Sequence, residues 1–450
     1  MRKLFAAFYL IGISFLFYAC SASFPGGNEN FIRVNGTQFE LNGKPYYYTG
    51  TNLWYGCYLG STGETGDRKR LIRELDNLKS LGITNLRILG ASEKSYIKNS
   101  LEPAIQIKPG VYDNDLLDGL DFLLSEMRKR GMHAVIFLNN YWEWTGGMAQ
   151  YVDWANGGGG VDPGINNYGK FMDYSASFYG NEIAKEMYLH FVYQLITRKN
   201  HYTGDCYYED PTIMTWQLAN EPRPGRNRYW LPEYYTWIKT TADFIHEIDP
   251  NHLVTTGSEG LAGTLGDSTI YLTTHRMKGI NYMTMHLWPK NWGWFDAKNI
   301  EKTYPRTEKN AINYIDEHIH YSRELSKPLV MEEFGMPRDS EKCTAGTPTT
   351  ARDMFFKKIL GIIYDSAAAG APIAGTNFWG WGGEGRSQHP NNKWQPGDPF
   401  TGDPPQEPQG LNSVFNVDSS TIEILKHYAG MMNALDKKPL KIESKEITSK

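Results

Sequence analysis

The sequence is short of cysteine, of unbalanced charge and, beyond its N-terminal segment, of long apolar runs. It has 4 cysteines among 450 residues, and no two lie close enough in sequence to suggest a zinc site. The net charge of −4 gives no reason to expect nucleic acid or an anionic membrane surface as a partner. No segment after residue 20 is apolar enough to span a bilayer. What remains is the composition of an ordinary soluble protein, with 40% hydrophobic and 21% charged residues.

The N-terminus has the pattern of a targeting segment. Arg2 and Lys3 precede a nearly unbroken apolar stretch over residues 4–18, which is too short for a comfortable membrane span. The stretch ends at Cys20, where a small residue precedes the cysteine as in a bacterial lipobox. We therefore expect residues 1–20 to be a lipoprotein-type signal peptide and Cys20 to anchor the exported protein to a bacterial membrane. Plain secretion is the alternative.

The rest of the chain is predicted to form a short tether and a single domain. Residues 21–30, rich in Ser, Gly, Pro and Asn, are the tether, and residues 31–450 are the domain. Beyond Cys20 the cysteines are Cys57, Cys206 and Cys343. An odd number cannot pair fully, so one disulfide is possible, but nothing in the spacing selects it.

Short apolar runs alternate with amphipathic stretches along this domain. Such runs predict strands buried on both faces, and they lie at residues 46–52, 84–89, 133–139, 213–218, 252–256, 282–286, 328–332 and 375–379. Stretches with a 3.6-residue apolar period predict helices, and they lie at residues 67–81, 115–130, 181–199, 229–248, 308–325 and 351–369. Eight strands alternating with helices predict an α/β fold, the (β/α)₈ TIM barrel. Asn-Gly pairs at residues 35–36 and 42–43 predict an N-terminal β-hairpin, which we expect to close the floor of the barrel.

Two long connections follow the third and eighth predicted strands, at residues 140–180 and 380–412. Long irregular connections in a compact domain are usually functional or disordered. Both follow the C-terminal ends of strands, which form the catalytic face of a TIM barrel. The first carries Trp142, Trp144 and Trp154, and aromatic side chains in loops suit a ligand with apolar C–H faces, as sugars have.

Two glutamates close apolar runs that lie far apart in the sequence. Glu221 follows the run at residues 213–219, and Glu333 lies in the run at residues 328–334. Strand ends on one face of a barrel can bring such distant residues together. A retaining glycosidase needs two carboxyl groups about 5–5.5 Å apart, one to protonate the leaving oxygen and one to attack the anomeric carbon. The pair therefore predicts retaining glycoside hydrolysis.

Four segments give the chain a specific resemblance to a known family. They read LNNYWEWTGGMAQY at residues 138–151, LANEPR at 218–223, MHLWP at 285–289 and VMEEFG at 330–335. In this order, and at the spacing of barrel strands, they resemble glycoside hydrolase family 5, a family of retaining (β/α)₈ hydrolases, and within it the β-mannanases. The resemblance covers most of the chain, from about residue 46 to residue 379.

The resemblance implies roles for residues at the catalytic face. Glu221 matches the general acid/base, which needs a raised pKa so that it is protonated when attack begins. Glu333 matches the nucleophile, which in the family directly precedes an aromatic residue and a glycine, whereas Glu332 faces the other way. Asn220 matches the residue that binds the sugar 2-hydroxyl. Arg87 fits the cation that keeps the nucleophile ionised.

Other positions match substrate-binding residues. Asn139 closes the third strand, His286 fits a hydrogen-bond partner near the nucleophile, and Trp379 fits a stacking platform under the sugar at the cleavage point. Arg223 matches an arginine that mannanases present to the leaving-group side. The chain departs from the family pattern at Trp288, where many members have a tyrosine that donates to the nucleophile. An indole N–H can also donate, although from elsewhere in space.

The resemblance implies endo-acting, retaining hydrolysis of β-1,4-mannosidic bonds in mannan, glucomannan or galactomannan by a monomer, with no metal or cofactor. An exo-acting β-mannosidase or mannobiohydrolase is one alternative, since the loop at residues 380–412 holds side chains that could bind a chain end: Trp381, Glu384, Arg386 and Trp394. The segment at residues 138–151 favours an open or half-open cleft. A family 5 endoglucanase and an inactive carbohydrate-binding lipoprotein are further alternatives. The mannanase-like segments argue against the former, and the intact pair of glutamates argues against the latter.

Overall fold

The structure of the protein is a computed structural model that describes residues 30–435. The predicted signal segment with Cys20, the tether up to residue 29 and residues 436–450 of the predicted domain lie outside the described residues. In the described part of the chain, no helix combines the length and the apolar character needed to cross a membrane.

Eight parallel strands form the centre of the fold. They are β1 (Tyr48–Asn52), β2 (Asn85–Leu89), β3 (His133–Phe137), β4 (Ile213–Gln217), β5 (Leu253–Thr255), β6 (Met283–Leu287), β7 (Leu329–Phe334) and β8 (Ile373–Phe378). Neighbours hydrogen-bond in the order β5-β4-β3-β2-β1-β8-β7-β6. The gap between β5 and β6 is bridged where Asn281 N donates to Val254 O at 2.8 Å and Thr255 Oγ1 donates to Tyr282 O at 2.9 Å. The predicted TIM barrel is confirmed, and every strand begins and ends within two residues of its predicted position.

Helices surround the barrel. Within residues 30–435 the α-helices are Gly56–Gly60, Arg68–Ser80, Asn114–Lys129, Gly147–Asn156, Tyr168–Ala176, Glu182–Ile196, Leu231–Ile248, Ser268–Arg276, Ile300–Leu325, Thr350–Ala368 and Ser419–Leu435. The six predicted helices are among them. Two of these six helices begin at an aspartate that caps the first turn: Asp67 accepts from Arg70 N, and Asp113 accepts from Leu116 N. The helix Ile300–Leu325 begins before the predicted residue 308.

A small antiparallel sheet closes the N-terminal end of the barrel. Its strands are Arg33–Asn35, Gln38–Leu41 and Lys44–Tyr46, so the predicted hairpin gains a third strand. The Phe39 ring contacts the Tyr282 ring edge-on, with centroids 5.2 Å apart, and Gln38 Nε2 donates to Ala371 O at 3.3 Å. Because Tyr282 and Ala371 lie within two residues of the starts of β6 and β8, the sheet covers the floor of the barrel as predicted.

The connection after β3 differs from the irregular loop that we predicted. Residues 140–180 contain two α-helices and two 3₁₀ turns: Gly147–Asn156, Tyr168–Ala176, Glu143–Thr145 and Ser177–Gly180. The first helix buries Met148, Tyr151 and Val152 against the core. Its tyrosine ring packs edge-on against the ring of Tyr188, with ring centroids 6.0 Å apart. The tryptophan-rich segment is therefore a packed helical layer on the catalytic face.

The connection after β8 is a series of turns held by buried hydrogen bonds. The strand Trp381–Gly383 pairs with Val414–Phe415 at its far end. Asp403 accepts from Gly410 N and Asn412 N, both at 2.8 Å. These bonds hold residues 403–412 in a defined conformation beside the barrel mouth.

The cysteines inside the described residues give no support for a disulfide. Cys57 lies in the core and Cys343 is partly exposed, and both carry free thiols. Burial raises the pKa of the Cys57 thiol to about 12, so this thiol stays protonated and unreactive at neutral pH.

Candidate active site

A cavity of about 730 Å³ opens at the C-terminal ends of the barrel strands. Its volume lies in the range of small-molecule binding sites. Its walls come from the end of β7 and from the connections after β3, β4, β5, β6 and β8. The sequence-predicted residues that line it are Asn220, Glu221, Arg223, Trp288, Glu333 and Trp379.

Glu221 lies just beyond the end of β4. Its φ of 51° is in the left-handed region, which residues other than glycine seldom adopt. Trp142 Nε1 donates to Glu221 Oε2 at 2.5 Å, and His286 Nδ1 lies 2.6 Å from Glu221 Oε1. The backbone N–H of Glu221 donates to Gly257 O at 3.0 Å. Surrounding hydrogen bonds therefore hold the unusual backbone conformation and aim the carboxylate into the cavity.

The adjacent glutamates of β7 have different surroundings. Glu333 lines the cavity, where it contacts the Arg87 guanidinium and accepts from Trp288 Nε1 at 3.1 Å. Glu332 lies inside the barrel, where Gln217 Nε2 donates to it at 2.5 Å. Burial raises the pKa of Glu332, which favours its neutral form. Of the two, Glu333 is therefore the carboxylate that a ligand in the cavity can contact.

The buried Arg87 guanidinium joins the strand ends from within the barrel. It contacts Glu333, and its Nη2 donates to Asn220 Oδ1 at 2.7 Å. Nε donates to Gln217 Oε1 at 2.9 Å, and Nη1 donates to Asn52 Oδ1 at 3.1 Å. Because its donors face four acceptors at the ends of three strands, β1, β4 and β7, Arg87 fixes Glu333 and Asn220 relative to each other.

His286, at the end of β6, links the two predicted catalytic carboxylates. Its Nδ1 lies 2.6 Å from Glu221 Oε1 and 3.2 Å from Glu333 Oε2. One ring nitrogen and one oxygen from each carboxylate all lie within 4.8 Å of one another. Burial alone would lower the pKa of His286, but the Glu333 charge and the bonds to both carboxylates outweigh it and raise this pKa to about 10. The imidazole is therefore protonated and positively charged at neutral pH, and it lies between the two carboxyl groups.

The pKa of Glu221 contradicts the raised value that we expected for an acid catalyst. Burial raises it, but the hydrogen bond and charge of His286, the charge of Arg223 and the bond from Trp142 together lower it below the ordinary value. In the resting arrangement the shared proton therefore lies on His286 Nδ1 instead of on Glu221. A sequence cannot show this, since it depends on which strand ends face each other.

A second charged pair lies beside Glu221. The Arg223 guanidinium contacts the buried carboxylate of Glu259, which follows β5, and stacks over the Trp142 ring at 4.8 Å from its centroid. Burial raises the pKa of Glu259 to about 7, against the opposing charge of Arg223. Glu259 was not predicted to be a site residue, and Trp142 was noted only as one of several loop aromatics that suit a sugar, yet together they fix the position of Arg223.

Two tryptophans line the cavity beside Glu333. The Trp288 ring meets the Trp379 ring edge-on, with centroids 5.8 Å apart, and both rings line the cavity. The indole N–H of Trp288 does reach Glu333, although we expected it to lie elsewhere in space. A donor to this carboxylate is therefore kept at the position where the family pattern has a tyrosine.

The chain is similar in sequence to known proteins over most of its length. The family model described as GH family 5 beta-mannosidase-like matches residues 29–437. The chain belongs to this family. A putative mannan endo-1,4-beta-mannosidase 4 from Arabidopsis thaliana is 30% identical over 428 residues, which cover 91% of this chain and 92% of that protein. The protein is thus a glycoside hydrolase of family 5.

Solved structures of the family have the same fold. The family 5 mannosidase from Rhizomucor miehei is 33% identical, with a TM-score of 0.84, and the match covers 92% of this chain and 100% of that one. An endo-beta-1,4-mannanase from Thermotoga petrophila is 26% identical, with a TM-score of 0.65, and the match covers 87% of this chain and 78% of that one. The hydrolase barrel is therefore shared across the described residues.

Two predicted substrate-binding residues of this family 5 hydrolase lie away from the cavity. Trp381 is only 1% exposed, and its Nε1 donates to Glu74 Oε2 at 2.8 Å, so it is a buried packing residue. Asn139 is fully buried behind the site, where its Oδ1 accepts from Asn140 N at 2.8 Å. Neither side chain lines the cavity, because both are buried in the core.

The other predicted chain-end residues of the β8 connection also lie elsewhere. Glu384 pairs with Arg73 through two hydrogen bonds at 2.8 and 2.7 Å on the outer surface. Arg386 donates to backbone carbonyls of its own turn, at 2.7 and 2.8 Å. Trp394 stacks on Phe400 with centroids 5.7 Å apart. The part of this connection that does line the cavity is a later turn with Pro404, Gln406, Glu407, Pro408 and Leu411.

Besides Glu259, sequence reasoning missed two further carboxylates on the cavity wall, Glu143 and Glu407. Glu143 accepts from the hydroxyl of Tyr168, which also lines the cavity. The prediction for the first connection rested on its tryptophans, and the prediction for the second named an earlier set of side chains. The only signal available was that both glutamates lie in connections on the catalytic face.

Proposed function

We propose that this family 5 enzyme hydrolyses β-1,4-mannosidic linkages, in manno-oligosaccharides and in mannan, glucomannan or galactomannan, with retention of anomeric configuration. The observation that carries the proposal is the contact of Glu221, His286 and Glu333, whose facing atoms lie within 4.8 Å of one another. Retaining enzymes hold their carboxyl groups about 5–5.5 Å apart, whereas inverting enzymes leave about 6.5–9.5 Å for a water molecule. The names of the related proteins support mannose as the sugar.

In this proposal Glu333 is the nucleophile. It attacks the anomeric carbon and forms a glycosyl-enzyme, while Arg87 and Trp288 hold its two oxygens in place. Asn220, fixed by Arg87 Nη2 at 2.7 Å, is available to the sugar 2-hydroxyl, and the Trp379 ring to the apolar face of the sugar. Water then attacks the glycosyl-enzyme with Glu221 as base.

Glu221 is the acid/base, and His286 holds its proton at rest. Transfer of the proton from His286 Nδ1 to Glu221 Oε1, over 2.6 Å, gives a neutral imidazole and a protonated Glu221. Glu221 passes this proton to the leaving oxygen as the glycosidic bond breaks. Trp142, at 2.5 Å from Glu221 Oε2, holds the carboxyl group in position through both steps.

We further propose that cleavage occurs near chain ends, in place of the internal cleavage that the sequence predicts. The supporting observation is that the turn at residues 404–411 and the insertion after β3 both line the cavity, which narrows the room for a chain that continues past the carboxylate pair. Internal cleavage is the second candidate, and the name of the Arabidopsis relative favours it.

A time course of products on linear mannan and mannohexaose tests both the proposed reaction and the proposed position of cleavage along the chain. One small product from the first time point means action at chain ends, and early mixed oligomers mean internal cleavage. Proton NMR of the first product should show the β-anomer before mutarotation. Release of no reducing sugar from any mannan or manno-oligosaccharide, with Glu333→Gln as the inactive control, would rule out the proposed reaction.

Export with a lipid anchor is also a proposal, and it rests on the sequence of residues 1–20 alone. Incorporation of labelled palmitate in a bacterial host would support it if Cys20→Ala abolishes the label. Full-length protein in the soluble fraction, without label, would contradict it.

A further inference from the structure

A second pocket, separate from the active-site cavity, opens on the surface of the protein. Its volume is about 450 Å³, which lies in the range of small-molecule sites. Residues from three segments line it, among them Trp230, Gly180, Ile183, Asn156 and Asn181. The helices that begin beside this pocket, Glu182–Ile196 and Leu231–Ile248, follow β3 and β4. Because helices of a TIM barrel begin at the end where the strands finish, the surface pocket lies on the catalytic face.

Two segments that line the surface pocket also line the cavity. The helix Tyr168–Ala176 carries Met172 at the cavity and continues directly into the turn Ser177–Gly180 at the surface pocket. At about 1.5 Å per helical residue, that turn begins roughly 7.5 Å beyond Met172 along the helix axis. The connection after β4 likewise carries Arg223 at the cavity and Trp230 at the surface pocket. The surface pocket is therefore next to the cavity, on the side of Arg223, where the leaving group of the proposed reaction departs.

The Trp230 side chain forms one wall of the surface pocket. Its ring lies so close to Gly180 that a Cβ atom added there would stand 2.0 Å from Trp230 Cζ3. Gly180 does not have a positive φ, so the close approach of the ring accounts for a glycine at this position. Tyr229 packs edge-on against the same ring, with centroids 4.8 Å apart. These contacts hold the Trp230 ring in place while it stays partly exposed to solvent.

Polar side chains line the surface pocket beside this ring. Asn181 Oδ1 accepts from Ala184 N at 3.1 Å and so caps a helix, and Asn181 Nδ2 donates to Asn156 Oδ1 at 3.3 Å. An amide nitrogen carries two hydrogens, so a second donor of Asn181 remains for a ligand. Glu182 accepts from Lys185 Nζ at 2.8 Å, which balances its charge. The polar groups of the pocket are therefore amides and a paired carboxylate.

This combination of side chains fits one chemical class of ligand. An aromatic ring offers an apolar face to C–H groups, and amide side chains offer donors and acceptors to hydroxyl groups. The balanced charge of Glu182 gives an ionic ligand no unpaired partner. An uncharged sugar unit has both the C–H faces and the hydroxyl groups, and a sugar chain is what the adjacent cavity is proposed to cleave.

We propose that the surface pocket is a second binding site for mannan, in which the Trp230 ring stacks on one sugar unit and Asn156 and Asn181 bind its hydroxyl groups. This inference rests on the proposed mannosidic function. A chain held at this site stays beside the cavity, so the effective concentration of its other sugar units at the cavity rises. A ligand short enough to fit inside the cavity gains nothing from the second site.

The test compares binding of a long and a short ligand without turnover. Affinity electrophoresis of Glu333→Gln in gels that contain soluble glucomannan gives the dissociation constant for polysaccharide. Titration calorimetry gives the dissociation constant for mannotriose. Adding Trp230→Ala should weaken glucomannan binding about 5- to 30-fold, because the stacking surface is lost. It should leave mannotriose binding unchanged to within about twofold.

Two further variants support the comparison. Tyr193→Ala removes a partly exposed ring from the other end of the helix Glu182–Ile196, and this matched control should keep full glucomannan binding. Asn156→Ala changes an exposed side chain and should weaken glucomannan binding about 3- to 10-fold. Thermal unfolding shows whether Trp230→Ala is folded, and where it is not, the result for Asn156→Ala decides.

Unchanged glucomannan binding in the folded Trp230→Ala protein, or in Asn156→Ala where the former does not fold, would overturn the proposal. An equal loss of mannotriose binding would overturn it too, since Trp230 would then act through the cavity. The same holds if glucomannan does not retard Glu333→Gln at all. Binding to phosphatidylcholine vesicles that Trp230→Ala abolishes, with glucomannan binding intact, would assign the ring to a membrane surface instead. Release of reducing sugar by the wild-type enzyme, measured separately, reports on the proposed function alone.

Discussion

The Trp288 indole N–H donates to Glu333 Oε2 at 3.1 Å. With the Arg87 guanidinium on Oε1, this bond leaves the carboxylate a single orientation towards the cavity. It also shows how the chain keeps a donor to Glu333 at the position, two residues beyond His286, where the family pattern has a tyrosine.

Trp288→Phe removes this donor and keeps an aromatic ring. We expect kcat/KM on an aryl mannoside to fall about 10- to 100-fold, because a hydrogen bond to a charged group contributes about 1.5–3 kcal/mol and the attacking oxygen loses its orientation. Steady-state kinetics give the comparison. Trp394→Phe, which changes a ring stacked on Phe400 outside the cavity, is the control, and equal losses in both variants would contradict the role of the indole.

Arg223 should act on sugars of the leaving-group side. Arg223→Ala should weaken the use of longer manno-oligosaccharides and reduce transglycosylation, with little effect on a short aryl mannoside, since the guanidinium stacks on Trp142 beside Glu221. Glu259→Gln should cause a smaller loss in the same direction, because it releases Arg223. Arg226→Ala changes an exposed neighbour and is the matched control. An equal loss on the aryl mannoside would place Arg223 at the bond that is cleaved.

His286 should set the alkaline limb of the pH profile. Its pKa of about 10 means that the pair of His286 and Glu221 keeps one proton well above neutral pH. In His286→Asn the proton can be held only by the Glu221 carboxyl group, so the alkaline limb of kcat/KM should move to lower pH by at least about one unit. His320→Asn, at an exposed position, should leave the limb unchanged. If the alkaline limb of kcat/KM in His286→Asn stays at the wild-type pH, the proton is held by a group other than His286.

The barrel should lose stability in mild acid through buried neutral histidines. His318 accepts from Leu261 N at 3.1 Å through Nε2, so protonation would place two donors against each other, and burial lowers its pKa to about 4. Between pH 6.5 and 4 the unfolded chain binds a proton that the folded chain does not, so stability is complete above pH 6.5 and falls as the pH is lowered. Within this pH range, each such group should lower the free energy of unfolding by roughly 1.4 kcal/mol for each unit by which the pH falls.

His318→Gln should therefore lose less unfolding free energy than the wild type between pH 6.5 and pH 4. The exposed His427→Gln is the control, and urea unfolding at both pH values supplies the measurement. If the unfolding free energy of His318→Gln falls by as much as that of the wild type between the two pH values, the acid sensitivity arises from other residues.

The barrel and its carboxylate pair could be predicted from the sequence because their signals are local. Strands buried on both faces read as apolar runs, and polar residues such as Asn220 and Glu221 stand where a run ends. To predict that such residues come together, only one rule was needed: the C-terminal ends of parallel barrel strands lie on one face.

Other features depend on how distant segments meet, and the sequence could not show them. Trp381 was taken for a binding residue because it follows the catalytic face, but its indole turns inward to Glu74. Glu407 carries no local signal and gains its position from the hydrogen bonds that Asp403 makes within the same turn. The proton between Glu221 and His286 depends on a 2.6 Å contact across the barrel mouth.

The most direct test of the central claim is intact-protein mass spectrometry of Glu221→Gln after mixing with an activated aryl β-mannoside. The leaving group of such a substrate needs no proton, so Glu333 should still attack, and the glycosyl-enzyme should accumulate because no base activates water. We predict an added mass of one hexose, located by peptide mapping on Glu333 and absent from the double variant with Glu333→Gln. Release of the aryl group without an adduct, or an adduct on another residue, would contradict the assignment of Glu333 as nucleophile and Glu221 as acid/base.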